Sequence, residues 1–219
     1  MSTTSHDDTV SALTGFQVTV ARLFFTLPAS ERFLLAGGAA LVAQHLSERP
    51  TQDLDFFTRQ PGDVSLARDE FEALIAAQGW VTERITDTAT FCRLIIHGTE
   101  DLLVDLALDS PPGHPATASF VGPPFAPEEL GGRKLLALFD RAAARDFVDV
   151  FALSDHYSKE LLLTEASALD GGFTAKLLAG QITTLDRFTD ADLPLAATET
   201  DRLRVFFAEW RSELLQSRN

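Results

Sequence analysis

Between residues 34 and 57 the chain gathers the residue types that metal and phosphate chemistry needs: Gly37, Gly38, Arg49, Thr51, Asp53 and Asp55. Asp53 and Asp55 sit two apart in a segment, residues 53–58, whose members Leu54, Phe56 and Phe57 are apolar. Such a segment predicts a partly buried strand, and strand residues i and i+2 share a face. Two carboxylates side by side repel one another, and a divalent cation between them relieves the repulsion best. Upstream, the run Arg32 to Ala36 ends on Gly37-Gly38 where a helix-prone segment begins. That turn leaves backbone N–H groups unpaired at a helix start and lets a phosphate come close. Taken singly, the glycine pair also reads as a tight turn and Asp-x-Asp as a strand end, because short patterns recur by chance.

Two later segments add to this pocket. Asp105, in the mostly apolar run DLLVDLALD, is an acid in a segment that reads as an interior strand, where it needs a partner or a metal. It is a natural third ligand, although Asp101, Asp105 and Asp109 also read as acids of strand ends facing water. If the stretch GGRKLLALFDRAAARDFVDVFAL forms one continuous helix, its charges share a face. At about 100° per residue, Lys134, Arg141, Arg145 and Asp149 then fall within roughly 80° of one another. Leu135, Leu136, Phe139, Ala143, Phe147 and Val150 form the opposite, core-facing side. On an isolated helix these charges would be an ordinary solvated face; beside a metal site they become candidates for holding a triphosphate.

The elements that must position these groups are legible from periodicity. A leading helix is expected over residues 8–27, with Val10, Leu13, Val20, Leu23, Phe24 and Leu27 at helical spacing and Pro28 closing it. Strand, glycine turn and helix follow, then the strand 53–58, a helix over 65–78 and strands over 80–86, 91–97 and 102–108, which together form a mixed sheet. Residues 110–127, rich in proline and glycine, mark a linker or long surface loop. Pro127-Glu128-Glu129 suits a helix start, and the pattern stays helical nearly to the C-terminus.

A chain of 219 residues, 45% hydrophobic and 23% charged, can bury a core as one domain or two small lobes. Its single cysteine, Cys92, excludes an internal disulfide, and its five scattered histidines give little support to a histidine metal site. The formal charge of −14 argues against broad adhesion to nucleic acid while leaving room for a local basic patch. No long apolar run or signal-like N-terminus is present, so the expected location is cytoplasmic, without a membrane.

Read in order, Gly37-Gly38, Arg49-x-Thr51-x-Asp53-x-Asp55, Asp105, and Lys134 with Arg141, Arg145-Asp146 and Asp149 resemble the polymerase-beta-like nucleotidyltransferase superfamily, and within it the AbiE-type toxins of bacterial toxin–antitoxin systems. The resemblance implies an α+β fold: a mixed-sheet catalytic lobe over residues 1–112, then an all-helical lobe over 113–219 that completes the cleft. It implies transfer of a nucleoside monophosphate from an NTP (ATP, GTP or CTP) to an acceptor by a two-metal mechanism, with Mg²⁺ or alternatively Mn²⁺. Asp53, Asp55 and Asp105 would then be metal ligands, Asp105 also a candidate general base. Gly37, Gly38, Arg49, Thr51, Lys134, Arg141 and Arg145 would hold the nucleotide, Lys134 offsetting charge on the leaving pyrophosphate. The family's later catalytic aspartate maps to Asp146 or Asp149. The implied partners are the 3′ end of a tRNA, whose modification blocks translation, and a cognate antitoxin. The alternatives are a small-molecule nucleotidyltransferase of the antibiotic-modifying kind and a non-catalytic binding module on the same fold. A basic acceptor cleft favours RNA and an acidic one a cationic small molecule, while retention of three buried acids argues against the non-catalytic module.

Overall fold

The computed structural model describes residues 12–216. The first helix, α1 (Gly15–Phe24), starts later than the apolar spacing suggests because Thr14 caps it. The Thr14 hydroxyl accepts from the Gln17 N–H at 3.1 Å, and the Thr14 N–H donates to Gln17 Oε1 at 2.8 Å, so a capping box stops the helix from extending upstream. The start of the expected helix, including Val10, lies outside the described residues.

The chain continues through β1 (Phe33–Ala36), α2 (Gly37–Ala43), β2 (Asp53–Thr58), α3 (Asp63–Ala77), β3 (Val81–Asp87), β4 (Phe91–His97) and β5 (Asp101–Leu108). The strands form one mixed sheet in the order β1-β2-β5-β4-β3. Among the described strands β2 and β5 pair in parallel and the other neighbours antiparallel, and the β2/β5 register sets Asp55 directly opposite Asp105. Side-chain alternation decides which way the acids point. Leu54 and Phe56 are buried on one face of β2, and the Phe56 ring stacks on Phe24 of α1 at 4.0 Å. Burying an aromatic ring of this size stabilises by roughly 1.5–3 kcal/mol, so β2 cannot slip one residue without exposing its core face. Asp53, Asp55 and Phe57 are thereby held on the opposite face.

Beyond β5, residues 109–126 run along the sheet edge. The Leu35 N–H donates to Pro123 O at 2.8 Å and the Phe125 N–H to Leu35 O at 3.2 Å, covering the outer side of β1. Five helices follow: α4 (Pro127–Arg141), α5 (Ala144–Leu153), α6 (Lys159–Leu169), α7 (Ala175–Ile182) and α8 (Ala197–Gln216). Residues 131–153 therefore do not form one continuous helix. Ala142 adopts a left-handed conformation, φ 45°, which ends α4 and turns the chain into α5. This conformation costs an L-residue about 1–2 kcal/mol. Asp146 offsets it by accepting from the Ala143 N–H at 3.1 Å and from Arg141 Nε and Nη2 at 2.9 and 2.7 Å.

Two clusters of buried apolar residues result, one around the sheet and one among the helices. Leu130 of α4 and Leu153 of α5 belong to the sheet-side cluster, whereas Leu135 and Phe147 of the same helices belong to the other, so α4 and α5 join the two. Among the described residues no helix is long and apolar enough to cross a membrane. Cys92 is buried on the core face of β4, and that burial pushes its thiol up to about 11.

Candidate active site

The polar face of β2 opens onto a cleft of about 180 Å³ between the sheet and α4–α5. Gly37, Gly38, Arg49, Asp53, Asp55, Asp105, Lys134, Arg141 and Arg145 all line it, so residues spread over more than a hundred positions meet in one place. The break at Ala142 does not scatter the cations of residues 131–153: the turn aims Arg145 from α5 toward Asp53, 3.6 Å away.

At the cleft floor, Asp55 stands beside Asp53 on its own strand and beside Asp105 on β5. Burial, then the charge of Asp53, pushes the Asp55 carboxyl up to about 7, with Lys134 pulling it partly back. Asp53 accepts from the Thr51 hydroxyl at 2.8 Å. Asp105 accepts from Arg93 Nε and Nη2 of β4 at 2.8 and 2.6 Å. Gly37, at φ 63°, lies directly over Asp55: a Cβ at that position would come within 1.7 Å of Asp55 Oδ2. At Gly38 a Cβ would be 2.7 Å from the Thr51 hydroxyl oxygen. The backbone at the start of α2 therefore approaches the acids as closely as only glycine permits.

Asp146 and Asp149 stand behind the wall of the cleft, both fully buried. Asp149 accepts from Lys134 Nζ at 2.7 Å and from Arg49 Nε and Nη2 at 2.8 and 3.1 Å. Its own burial would raise its pKa, but Lys134 and Arg49 outweigh this and hold it below the usual carboxylate range. Asp149 thus orients two cations that face the cleft, whereas Asp146 ties down the turn and Arg141.

Arg93 and Arg133 also line the cleft and were not among the residues singled out from the sequence. Arg93 lies in the run FCRLIIH, which reads as apolar and buried; alternation along β4 puts it on the face opposite Cys92 and Leu94. Its i+4 partner Glu129 was the available signal for Arg133, whose guanidinium is held by Glu129 and Asp109 and lies 3.9 Å from the Phe125 ring.

In total the cleft presents six cations (Arg49, Arg93, Arg133, Lys134, Arg141 and Arg145) against three aspartates, on a chain whose net charge is −14. Buried Asp149, Asp146 and Glu129 behind the wall pair with Arg49, Lys134, Arg141 and Arg133, so much of this charge is already offset, and Arg145, 3.6 Å from Asp53, is more loosely held. A larger cavity of about 750 Å³ lies behind Arg49, and the acids Glu48, Asp155 and Glu199 line it. Arg202, His45 and His156 line it as well, and it lacks the paired strand acids and the glycine turn of the cleft.

A divalent cation fits part of this site. Asp53 and Asp55 are hard oxygen donors on one strand face and both line the cleft. Among the described residues, however, no group of three or more His, Cys, Asp or Glu side chains is arranged to hold a metal ion; the third acid, Asp105, is engaged by Arg93.

The family model for nucleotidyl transferase AbiEii toxin, type IV TA system, matches residues 20–217. No curated protein matches the chain. Among solved structures, JHP933 from Helicobacter pylori is 19% identical and superposes with a TM-score of 0.57 over 90% of this chain and 91% of that one. MenT4, a nucleotidyltransferase toxin from Mycobacterium tuberculosis, is 16% identical with a TM-score of 0.59 over 90% of this chain and 82% of its own. These likenesses show the shared fold, and the family match, which takes in every residue of the cleft, shows more: the chain is a nucleotidyltransferase and belongs to the AbiEii toxin family of type IV toxin–antitoxin systems.

Proposed function

We propose that the protein transfers a nucleoside monophosphate from an NTP to the 3′ end of a tRNA, with a divalent cation such as Mg²⁺ in the cleft. The observation that carries this reading is the convergence of Gly37-Gly38, Asp53 and Asp55 with Lys134 and Arg145 in one cleft. A triphosphate donor needs both a seat for a divalent cation and protein cations that can reach its phosphates.

The division of labour follows from the geometry. Asp53 and Asp55 would hold the cation, which would polarise the phosphoryl group under attack. The backbone of Gly37 and Gly38 would meet the β- and γ-phosphates at the start of α2. Lys134, aimed by Asp149, balances charge that builds on the leaving pyrophosphate. Arg145, half exposed and only loosely paired, is the cation best placed to swing onto a phosphate, and Arg49 and Arg141 flank it. Thr51 orients Asp53, and Asp149 rather than Asp146 is the later aspartate that serves the chemistry, because it alone touches Lys134 and Arg49. We divide the chain at 112/113 into a sheet lobe and a helical lobe, with the cleft between them. A cognate antitoxin would act on this toxin in the cell.

The test is direct. Purified protein with Mg²⁺ and each labelled NTP should label the 3′ end of a tRNA, and Asp55→Ala should abolish labelling. Unchanged labelling by that variant would refute the site. A second reading, a cationic small-molecule acceptor, is favoured by the acidic cavity that shares Arg49 with the cleft; labelling of a polyamine-like or aminoglycoside acceptor instead of RNA would select it.

A further inference from the structure

The third aspartate of the cleft already has a cation. Arg93 and Asp105 are direct cross-strand partners on β4 and β5, and Asp105 is the direct partner of Asp55 on β2. Asp55, Asp105 and Arg93 therefore stand in one row across the sheet. Strand register sets the two residues opposite each other, and the Arg93 side chain, 41% exposed, reaches across to close the pair. Both guanidinium contacts, at 2.8 and 2.6 Å, engage both oxygens of the carboxylate, the planar fork that binds most selectively. Asp105 is only 6% exposed, and a buried carboxylate stripped of such a partner is strongly disfavoured.

Charge leads to the same place. Of the three carboxylates, Asp105 has both oxygens engaged by Arg93 while Asp53 meets Arg145 only at 3.6 Å, so the two acids left to a metal, Asp53 and Asp55, can offset one divalent cation and not two. Of the other cations lining the cleft, Arg145 lies 3.6 Å from Asp53 and the rest are engaged by other acids. Lys134 and Arg49 are held by Asp149, Arg141 by Asp146, and Arg133 by Glu129.

We infer that Arg93 stands in for a second divalent cation: it holds Asp105 out of the metal site, and the enzyme works with a single cation carried by Asp53 and Asp55. This rests on the assignment of Asp53 and Asp55 proposed above. Arg93 is on this account a positioning residue.

Counting bound Mn²⁺ tests it. Free Mn²⁺ is titrated by electron paramagnetic resonance against the full chain with one equivalent of a non-hydrolysable NTP, a free-nucleotide blank being subtracted. The wild type should bind one Mn²⁺ per chain. Asp105→Asn should leave that affinity within about twofold, whereas removal of a true ligand or its support costs about tenfold or more. Arg93→Met, which keeps the bulk of the stem and drops the charge, should gain a second Mn²⁺ that the added Asp105→Asn change removes. Two Mn²⁺ in the wild type, or a tenfold loss in Asp105→Asn, would overturn the inference; if Arg93→Met does not fold, the Asp105→Asn titration decides alone. Equal binding by the wild type and Asp55→Asn would instead refute the proposed site itself, and the inference with it.

Discussion

Replacing Asp55 with Asn should make the protein more stable and inactive. The carboxyl is pushed up to about 7 from the ordinary 3.8, chiefly by burial and then by Asp53. Below the ordinary carboxylate range it is protonated in both folded and unfolded chains, and the shift has no effect. As pH rises from about 4 to about 7 the unfolded chain gives up this proton while the folded chain keeps it, and folding is progressively disfavoured; above about 7 the penalty is complete. The difference of roughly three pH units, at about 1.4 kcal/mol each, sets an upper bound of ~4 kcal/mol, of which cleft water will screen a part. If about 1–2 kcal/mol survives, the melting temperature of a chain this size shifts by several degrees. Thermal melts of wild type and Asp55→Asn from pH 4.5 to 8.5 should therefore diverge, the variant melting higher, with the gap opening up to about pH 7 and then holding constant. Mg²⁺ with a non-hydrolysable NTP should close the gap by stabilising only the wild type. A variant that melts no higher than wild type at pH 8, or that retains transfer, would show that Asp55 is not the strained acid described above.

Asp149→Asn should lose about 3–5 kcal/mol, because Lys134 and Arg49 would both lose the buried charge that holds them; the urea midpoint measures this, and a midpoint unchanged from wild type contradicts it. Because Asp149 is held below the usual carboxylate range, its contribution is present above that range and disappears as pH falls through its lowered value. The wild-type advantage over the variant should therefore shrink in strong acid. Gly37→Ala places a methyl group 1.7 Å from Asp55 Oδ2 and forces alanine to φ 63°. The backbone alone costs about 1–2 kcal/mol, and the displaced Asp55 should weaken Mn²⁺ binding by about tenfold or more; wild-type Mn²⁺ affinity would show that the close approach is unimportant.

Much of the fold is legible locally. The strand 53–58 coincides with β2 and 91–97 with β4, since period-2 burial of Leu54 and Phe56, or of Cys92, Leu94 and Ile96, is written directly into residue type. The boundaries that differ do so for chemical reasons. Thr14 and Gln17 begin α1 by a capping box that hydrophobic spacing does not register, and Ala142 breaks the 131–153 helix with a left-handed turn at a residue that favours helix. Local side-chain contacts maintain that turn: Asp146 accepts from the Ala143 N–H and from Arg141, a signal that hydrophobic spacing does not register.

What the sequence by itself determined is the set of chemical groups and their local geometry: two carboxylates on one strand face, a glycine pair at a helix start, and cations at intervals on helix-forming segments. These follow from backbone periodicity and side-chain type, which need no knowledge of distant residues. What only the tertiary structure decided is the pairing of those groups. The parallel register of β2 and β5 sets Asp105 beside Asp55, the antiparallel register of β4 and β5 gives Asp105 to Arg93, and the packing of α4 on α5 gives Asp149 to Lys134 and Arg49. Strand register and helix packing are fixed by burial summed over whole elements, so no single segment carries the information, and the electrostatic character of each acid depends on them.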